Sequence, residues 1–311
     1  ENGPVDLVLV RHGESEGNLA QYRSKNGVED DWKGEFGERH SSRYRLTDEG
    51  RRQAKCTGEF IKENIFSSFD MYYTSEYARA METAGLLGMG NADWNVEFNL
   101  RERDNGVLAG LSKKERKKEF ADELARRERD LFYWQPPGGE SVATMCLRVE
   151  RFLRTIEHSC AGMKVLVVCH GNIMEGFRIL LDQLTQHRWI QLRDSPDPRD
   201  KIHNCQIFWY SRRNPKDHHI HGSSKWVKSI CPWNTELSYN EWERLERPNF
   251  TNDMLLEHVQ SIPQLVNTDP AKDKSIKESR SEIGVTSYQT IPDFDADADK
   301  DDAGDDGVND I

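Results

Sequence analysis

Short runs of hydrophobic residues alternate along the chain with segments of helical periodicity. The runs typical of buried strands are residues 7–10, 71–74, 165–168 and 206–210. After Thr47, after Ser141 and over residues 173–184, hydrophobic residues recur at three- and four-residue steps, as they do on one face of a helix. This alternation predicts an α/β fold, a three-layer α/β/α sandwich around a mostly parallel central sheet.

Two polar segments interrupt this alternation. Residues 19–46 lack hydrophobic periodicity, and we expect them to form a long loop. Residues 112–138 begin with a highly charged helix in which positive and negative side chains largely cancel, a pattern typical of a solvent-exposed helix or lid. We interpret both segments as inserts in one domain.

The last part of the chain departs from the α/β pattern. Strand and helix stop alternating after Tyr210, so we expect the domain to span residues 1–247. Residues 248–266 predict one short helix, which forms a C-terminal helical extension. Residues 267–311 are polar and end in an Asp-rich stretch, and we expect this acidic tail to be disordered.

Most of the net charge of the chain belongs to this tail. The formal net charge is −11, and residues 293–311 contain nine Asp and one Lys, or −8, which leaves −3 for the rest. A nucleic-acid-binding domain typically has a basic excess, so we do not expect nucleic acid as a partner. An acidic tail of this kind is suited to contact a basic partner.

The cysteines and the hydropathy pattern give an expected location. The six cysteines show no CxxC pairing, which favours a reducing, intracellular compartment. No hydrophobic run approaches the ~20 residues of a membrane-spanning helix, so we expect no membrane association. We therefore expect a cytoplasmic protein, with an organelle matrix as the alternative because the chain starts at Glu1 instead of Met.

Titratable residues follow directly after two of the predicted strands. Arg11 and His12 end the first strand, and His170 ends the third. Arg79 lies in the first turn of a helix that follows the second strand. Ligands of open parallel sheets bind beyond the carboxyl ends of the strands, where a helix N-terminus and arginine side chains favour anions. These four residues therefore predict one binding site for an anionic group such as phosphate.

Five motifs, in this order along the chain, resemble those of the histidine phosphatase superfamily, in its phosphoglycerate-mutase-like branch (branch 1). They are RHGESEGN, SEYARAMETA, LRERDNGVLAGLSK, GGES and VVCHGN, and the resemblance extends over about residues 5–212. It implies a phosphoglycerate-mutase-like fold for the predicted domain, and phosphoryl transfer through a phosphohistidine.

The resemblance also implies a role for each matching residue. His12 would be the nucleophile, and Arg11, Arg79 and His170 would hold the phosphoryl oxygens. Glu102 would protonate the leaving oxygen and then activate water, although its charged surroundings also fit a solvated surface residue. The expected substrate-binding residues are Asn18, Gly171, Asn172 and Lys113. We expect no metal or cofactor, because the two arginines and His170 would supply the positive charge.

Three functions fit these observations. We favour a phosphatase that hydrolyses phosphomonoesters, because Asn105 stands where mutases carry Tyr and residues 19–46 do not resemble the mutases. The alternatives are a cofactor-dependent phosphoglycerate mutase and a family member that acts mainly as a partner in a larger assembly. The expected substrate is a phosphorylated small molecule, and its recognition is expected to depend on residues 19–46 and 112–138.

Overall fold

The computed structural model describes residues 3–28, 30–247 and 249–265, and the chain divides into two compact units after Pro248. The strands of the larger unit are β1 (Asp6–Arg11), β2 (Met71–Thr74), β3 (Trp94–Val96), β4 (Lys164–Cys169), β5 (Ile207–Ser211), β6 (Trp226–Ile230) and β7 (Trp242–Arg244). Its α-helices are α1 (Glu16–Lys25), α2 (Gly34–Glu38), α3 (Asp48–Asn64), α4 (Ala78–Leu86), α5 (Lys113–Glu119), α6 (Ala121–Arg129), α7 (Val142–Ser159), α8 (Gly171–Leu181) and α9 (Gln186–Asp194). Single 3-10 turns span Asp30–Trp32, Ser41–Arg43, Phe98–Leu100, Gly106–Leu108, Pro198–Asp200 and Thr235–Leu237.

The strands form one seven-stranded sheet in the order β3-β2-β4-β1-β5-β6-β7. The strands from β3 to β1 pair in parallel, whereas β1–β5, β5–β6 and β6–β7 are antiparallel. The sheet is therefore mixed, with a parallel half and an antiparallel half. In the parallel half, Arg11 of β1 is level with Cys169 of β4, so the residues that follow the two strands lie side by side.

Helices cover both faces of the sheet. Successive side chains of a strand point to opposite faces. Leu7 and Leu9 accordingly pack in a core cluster with α7 and α8, whereas Val8 and Val10 pack in a second cluster with α3 and α4. These two clusters confirm the predicted three-layer α/β/α sandwich.

Three strands were not predicted, and all three are incompletely buried. β1 and β4 are covered on both faces, which requires continuous hydrophobic runs. In contrast, β6 is mostly half-buried, and β3 and β7 are three-residue strands at the two edges of the sheet with mainly exposed side chains. Polar residues are tolerated in such strands, so the hydrophobic pattern does not mark them.

The prediction of a long loop over residues 19–46 is wrong. Helix α1 (Glu16–Lys25) extends into this segment. It begins at a capping box, in which the Ser15 and Asn18 side chains each accept a hydrogen bond from the other residue's backbone N–H. The segment that follows is held by aromatic packing, because Phe36 lies 5.6 Å from Trp32 and 4.5 Å from Tyr44 between ring centroids. Short helices fixed by caps and a few aromatic contacts leave little periodicity in the sequence.

The charged segment from residue 112 forms two helices instead of one. α5 starts at a second capping box, between Ser112 and Glu115. It ends at Phe120, whose backbone leaves the helical region (φ −129°, ψ 36°) before α6 begins. The non-helical backbone of Phe120 therefore separates α5 from α6.

The second unit contains α10 (Asn252–Gln260), in the segment where the sequence predicts a C-terminal helix. The acidic tail predicted over residues 267–311 lies outside the described residues. No helix within the part of the chain that the structure describes has the length and hydrophobicity needed to cross a membrane.

Candidate active site

His12 and His170 lie side by side at the carboxyl ends of β1 and β4. The backbone N–H of His12 donates to the carbonyl of Cys169 at 3.0 Å, which continues the parallel pairing by one residue. The two imidazole rings are 5.0 Å apart between centroids in an edge-to-face arrangement. Both side chains are buried, with exposed fractions of 2% for His12 and 0% for His170. The structure thus brings together the two histidines that the sequence places at separate strand ends.

The hydrogen bonds of His12 define its protonation state. Nδ1 lies 2.7 Å from the carbonyl oxygen of Gly13, which can only accept, so Nδ1 carries the ring proton. Nε2 accepts from Nε of Arg79 at 3.1 Å and therefore presents a lone pair. Burial lowers the pKa of His12 well below its ordinary value, and the positive charges of Arg79 and Arg11 lower it further. The ring is neutral at neutral pH, as a nitrogen nucleophile requires.

The ring of His170 packs edge to face against that of His12, and His170 is also neutral. Its Nε2 is 2.8 Å from Oγ of Ser75, and within the described residues its buried Nδ1 has no hydrogen-bond partner. Burial lowers the pKa of His170 well below the ordinary value, and the nearby charge of Arg79 adds to this effect. A negative charge bound beside the ring would favour its protonated form, and the unpartnered Nδ1 is the ring atom available to contact such a group.

Two arginines, the buried Arg79 and the half-buried Arg11, carry fixed positive charge at this site. Arg79 is 6% exposed, and its guanidinium donates to the Ser41 carbonyl at 2.7 Å and packs over the ring of Tyr77. Arg11 donates to the carbonyl of Ile202 at 2.6 Å, and its buried Nε has no partner among the described residues. Neither guanidinium forms an ion pair with a carboxylate in the part of the chain that the structure describes. Two such charges favour a bound anion.

These residues open into a cavity of about 380 Å³, which we call the proximal cavity. Arg11, His12 and Arg79 line it together with Glu102. Oε1 of Glu102 accepts from the backbone N–H of Arg103 at 2.9 Å, which orients the carboxyl group. Glu102 is thus a cavity residue instead of the solvated surface residue that its sequence neighbours also suggested. No group of three or more potential metal ligands is found among the described residues.

The loop that carries Glu102 is held by Glu140 of the GGES motif. The Glu140 carboxylate accepts from the backbone N–H of Asp104 at 3.0 Å and from Arg148 at 2.8 and 2.9 Å. Burial disfavours the charged form, yet the hydrogen bonds from Arg148 and Asp104 hold the pKa of Glu140 below its ordinary value. Glu140 is therefore ionised, and its charged hydrogen bonds join the loop that follows Glu102 to Arg148 of α7.

The expected substrate-binding residues fall into two groups. Asn18, Gly171 and Asn172 line the proximal cavity, whereas Lys113 lines an adjoining one. Oδ1 of Asn18 already accepts from Ser15 and from Nδ2 of Asn204, which leaves its amide Nδ2 as the donor for a ligand. A Cβ on Gly171 would lie 3.3 Å from Nε of Arg11, so glycine lets that guanidinium approach the start of α8.

Several cavity residues were not predicted. Tyr77, Arg103, Arg116 and Glu175 line the proximal cavity, and Asn204 braces it by donating from Nδ2 to the His12 carbonyl at 3.1 Å. Tyr77 lies in the same strand-to-helix turn as Arg79, so that turn did contain a signal. Arg116 and Glu175 lie on helices, and no sequence pattern reveals which face of a helix meets a cavity.

The sequence profile of the histidine phosphatase superfamily (branch 1) matches residues 7–196. Two relatives are named 2,3-bisphosphoglycerate-dependent phosphoglycerate mutase. The protein from Parvibaculum lavamentivorans is 32% identical over 195 residues, which are 61% of this chain and 85% of the relative. The one from Methylocella silvestris is 35% identical over 185 residues, or 58% of this chain and 82% of the relative.

Solved structures of similar fold are titled as phosphatases. A putative alpha-ribazole-5'-P phosphatase from Escherichia coli matches with a TM-score of 0.54 and 20% identity, covering 71% of this chain and 96% of that chain. A mycobacterial glucosyl-3-phosphoglycerate phosphatase in complex with VO3 matches with a TM-score of 0.51 and 22% identity, covering 70% and 95%. At these identities the similarity establishes the fold.

Proposed function

The chain belongs to the histidine phosphatase superfamily (branch 1), whose members are phosphatases or mutases, and we propose that it hydrolyses phosphomonoesters through a phosphohistidine at His12. The observation that carries this proposal is the state of His12. Its Nδ1 proton is held by the Gly13 carbonyl, and its Nε2 lone pair lies beside two buried guanidinium groups. A neutral nitrogen nucleophile is thereby placed where a phosphoryl group would bind.

In the first step, Nε2 of His12 attacks phosphorus while the bond from phosphorus to the leaving oxygen breaks. Arg11 and Arg79 balance the charge on the non-bridging oxygens, where it accumulates in the transition state. Protonated Glu102 gives its proton to the leaving oxygen, so the alcohol departs uncharged. The products are the free alcohol, a Glu102 carboxylate and a phosphorylated His12.

In the second step, water attacks the phosphoryl group and passes a proton to the Glu102 carboxylate. The bond between phosphorus and Nε2 breaks, inorganic phosphate leaves, and His12 returns to its neutral form. The Nδ1 hydrogen bond to Gly13 stays in place throughout, and it keeps the ring in the tautomer needed for the next cycle. Each residue thus ends the cycle in the state in which it began.

A phosphoglycerate mutase is the second candidate, because the two relatives described above carry that name. A mutase must keep its phosphohistidine from water while the substrate reorients, which favours a closed site. Here the proximal cavity shares part of its wall with a larger adjoining cavity of about 640 Å³. The additional space beside the phosphoryl site favours the access of water and therefore supports hydrolysis. The acidic segment invoked for an assembly role lies outside the described residues.

The test measures phosphatase turnover and traps the phosphorylated enzyme. We expect the purified protein to hydrolyse p-nitrophenyl phosphate in excess EDTA and to yield an acid-labile phosphoenzyme. His12→Asn should abolish both, whereas His158→Asn, which changes an exposed histidine on α7, should change neither. Loss of activity on chelation that a divalent ion restores would overturn the proposal. So would phosphoglycerate mutase turnover, with added 2,3-bisphosphoglycerate, that far exceeds hydrolysis.

A further inference from the structure

A second, larger cavity adjoins the proximal cavity. This distal cavity has a volume of about 640 Å³ and is formed mainly by residues of α1, α5 and α6 and the loops beside them. Six residues line both cavities, which makes the two spaces neighbours: Gln21, Trp32, Arg103, Asn105, Arg116 and Asn172. A group bound at His12 could therefore extend into the distal cavity past Arg103 and Arg116.

The wall of the distal cavity is strongly basic. Seven of its lining residues are Lys or Arg, and one, Glu128, is acidic. Arg103, Arg116 and Arg127 form no ion pair with a carboxylate anywhere in the described ranges. Burial lowers the pKa of Arg103 and Arg116, and the positive charge of Arg127 lowers both further. This like-charge cluster is unfavourable unless an anion binds to it.

Arg116 has a buried hydrogen-bond donor that is available to a ligand. Its Nε is buried and has no hydrogen-bond partner among the described residues. A buried N–H without a partner is unfavourable, so a ligand atom that accepts a hydrogen bond from it is bound more tightly. Arg116 also faces both cavities, which places this donor between the proximal site and the rest of the cluster.

The adjacent residues Arg126 and Arg127 provide an internal comparison. Arg126 is exposed and pairs with Glu123 at 3.1 Å, as is usual on a solvated helix surface. Arg127 instead lines the distal cavity, and its guanidinium packs 5.9 Å above the ring of Trp134. One arginine of α6 thus faces solvent and the other faces the cavity. The charged residues of α6 therefore do not all belong to a solvent-exposed face.

The same cavity has a hydrophobic part. Its apolar lining residues are Trp32, Leu108, Leu111, Leu124, Leu131 and Trp134. Inorganic phosphate or a three-carbon acid would leave this surface in contact with water. A ligand with an apolar body would cover this surface and gain affinity with each methylene group that it buries.

We propose that the distal cavity binds the leaving group of the substrate, and that this group combines an apolar body with a second anion, a phosphate or a carboxylate, held by Arg116 and Arg127. The proposal rests on the proposed function, because it takes the reacting phosphoryl group to be at His12. It goes further in naming the substrate class: an amphipathic phosphomonoester with an anion at each end.

The test uses aryl phosphates that carry an alkyl chain of four to ten carbons ending in a carboxylate, a phosphonate or an uncharged methyl ester. At the best length, an anionic end should raise kcat/KM over the methyl ester. Arg127→Gln, at a residue that lines the distal cavity alone, should remove most of this gain and leave p-nitrophenyl phosphate turnover unchanged. Arg116→Gln with Arg127→Gln should remove the gain altogether, roughly tenfold or more. Arg126→Gln is the matched control and should behave like the unaltered protein. Whether carboxylate or phosphonate is preferred identifies the second anion.

Two results would overturn the proposal. One is equal kcat/KM for all three chain ends, and the other is an equal loss for all three in the double variant. If His12 chemistry itself fails, p-nitrophenyl phosphate is not hydrolysed or His12→Asn is unaffected. Calorimetry with a non-hydrolysable alkyl phosphonate, with and without a terminal carboxylate, then decides separately: tighter binding that needs Arg116 and Arg127 supports the distal site, and equal binding rejects it.

Discussion

Nε of Arg79 donates a hydrogen bond to Nε2 of His12 over 3.1 Å, and this contact sets the state of the nucleophile before a substrate arrives. A guanidinium can only donate, so Nε2 of His12 must be unprotonated. The same lone pair is needed to attack phosphorus. An incoming phosphoryl group must therefore take the Arg79 N–H onto one of its own oxygens, which frees Nε2 for the reaction.

The buried, neutral state of His12 predicts a stability that falls in acid. The pKa of His12 lies well below 6.5 in the folded protein, whereas the unfolded chain takes up this proton near 6.5. Above this pH neither state is protonated, and His12 has no effect on the pH dependence. Below it only the unfolded chain binds the proton, so the free energy of unfolding falls by up to about 1.4 kcal/mol per pH unit.

Urea unfolding between about pH 7.5 and 5 measures this effect in the unaltered protein and in His12→Asn. Asn does not titrate, so the difference between the two slopes isolates His12 from every other group. We expect the variant to lose less stability on acidification. Identical slopes would mean that His12 is protonated equally in both states, contrary to its burial beside Arg79.

The position of Glu102 in the proximal cavity predicts a dependence on the leaving group. Glu102→Gln should slow the hydrolysis of alkyl phosphates by roughly 100- to 10,000-fold, because their oxygen needs a proton to depart. p-Nitrophenol leaves without one, so its phosphate should be affected much less in a burst measurement of the first step. Glu76→Gln, a change at an exposed residue before α4, is the control. Equal losses on both substrates would remove Glu102 from the acid role.

Glu140 should matter for turnover although it is not among the residues that line the proximal cavity. Its carboxylate holds the loop of Glu102 through Asp104 and Arg148. Glu140→Gln keeps the size of the side chain but loses the charge, so the loop should loosen and kcat should fall more than KM rises. The loss should be larger for alkyl phosphates, as for Glu102→Gln.

Glu150→Gln is the matched control for this prediction, since Glu150 pairs with Arg154 on an exposed face of α7. Its kinetics should not change. If Glu140→Gln only lowers the melting temperature and leaves the leaving-group dependence intact, Glu140 is structural and does not position the acid.

The centre of the site could be predicted from the sequence because burial constrains it strongly. β1 and β4 are covered on both faces and must be hydrophobic, so their ends, and the histidines after them, are visible in the pattern. The motif resemblance added Glu102, whose neighbours are all charged. The lowered pKa of His170 could not be predicted, because it depends on complete burial beside Arg79, which no local pattern encodes.

The distal cavity could not be predicted for a different reason. It is formed mainly by the short helices α1, α5 and α6, which bury few side chains, so few buried hydrophobic residues mark them in the sequence. Because positive and negative residues alternate along α6, its sequence does not reveal which side of the helix faces the cavity. Arg126 and Arg127 are equivalent in the sequence, yet one faces Glu123 and the other faces the cavity.

The last prediction concerns Glu175, which lines the proximal cavity together with Glu102 and Asp104. Burial raises the pKa of Glu175 above its ordinary value. A raised pKa means that Glu175 keeps its proton to higher pH than an ordinary Glu and becomes charged only above that point. Once ionised, it repels an anion bound by Arg11 and Arg79, so anion affinity should fall as the pH rises through its pKa.

Sulfate is a suitable probe because its own charge does not change over about pH 5–9. Its inhibition constant should rise with pH in the unaltered protein and rise less in Glu175→Gln, which mimics the protonated form. Glu150→Gln should follow the unaltered protein, and a Glu175→Gln profile that does the same would show that Glu175 does not titrate against the bound anion.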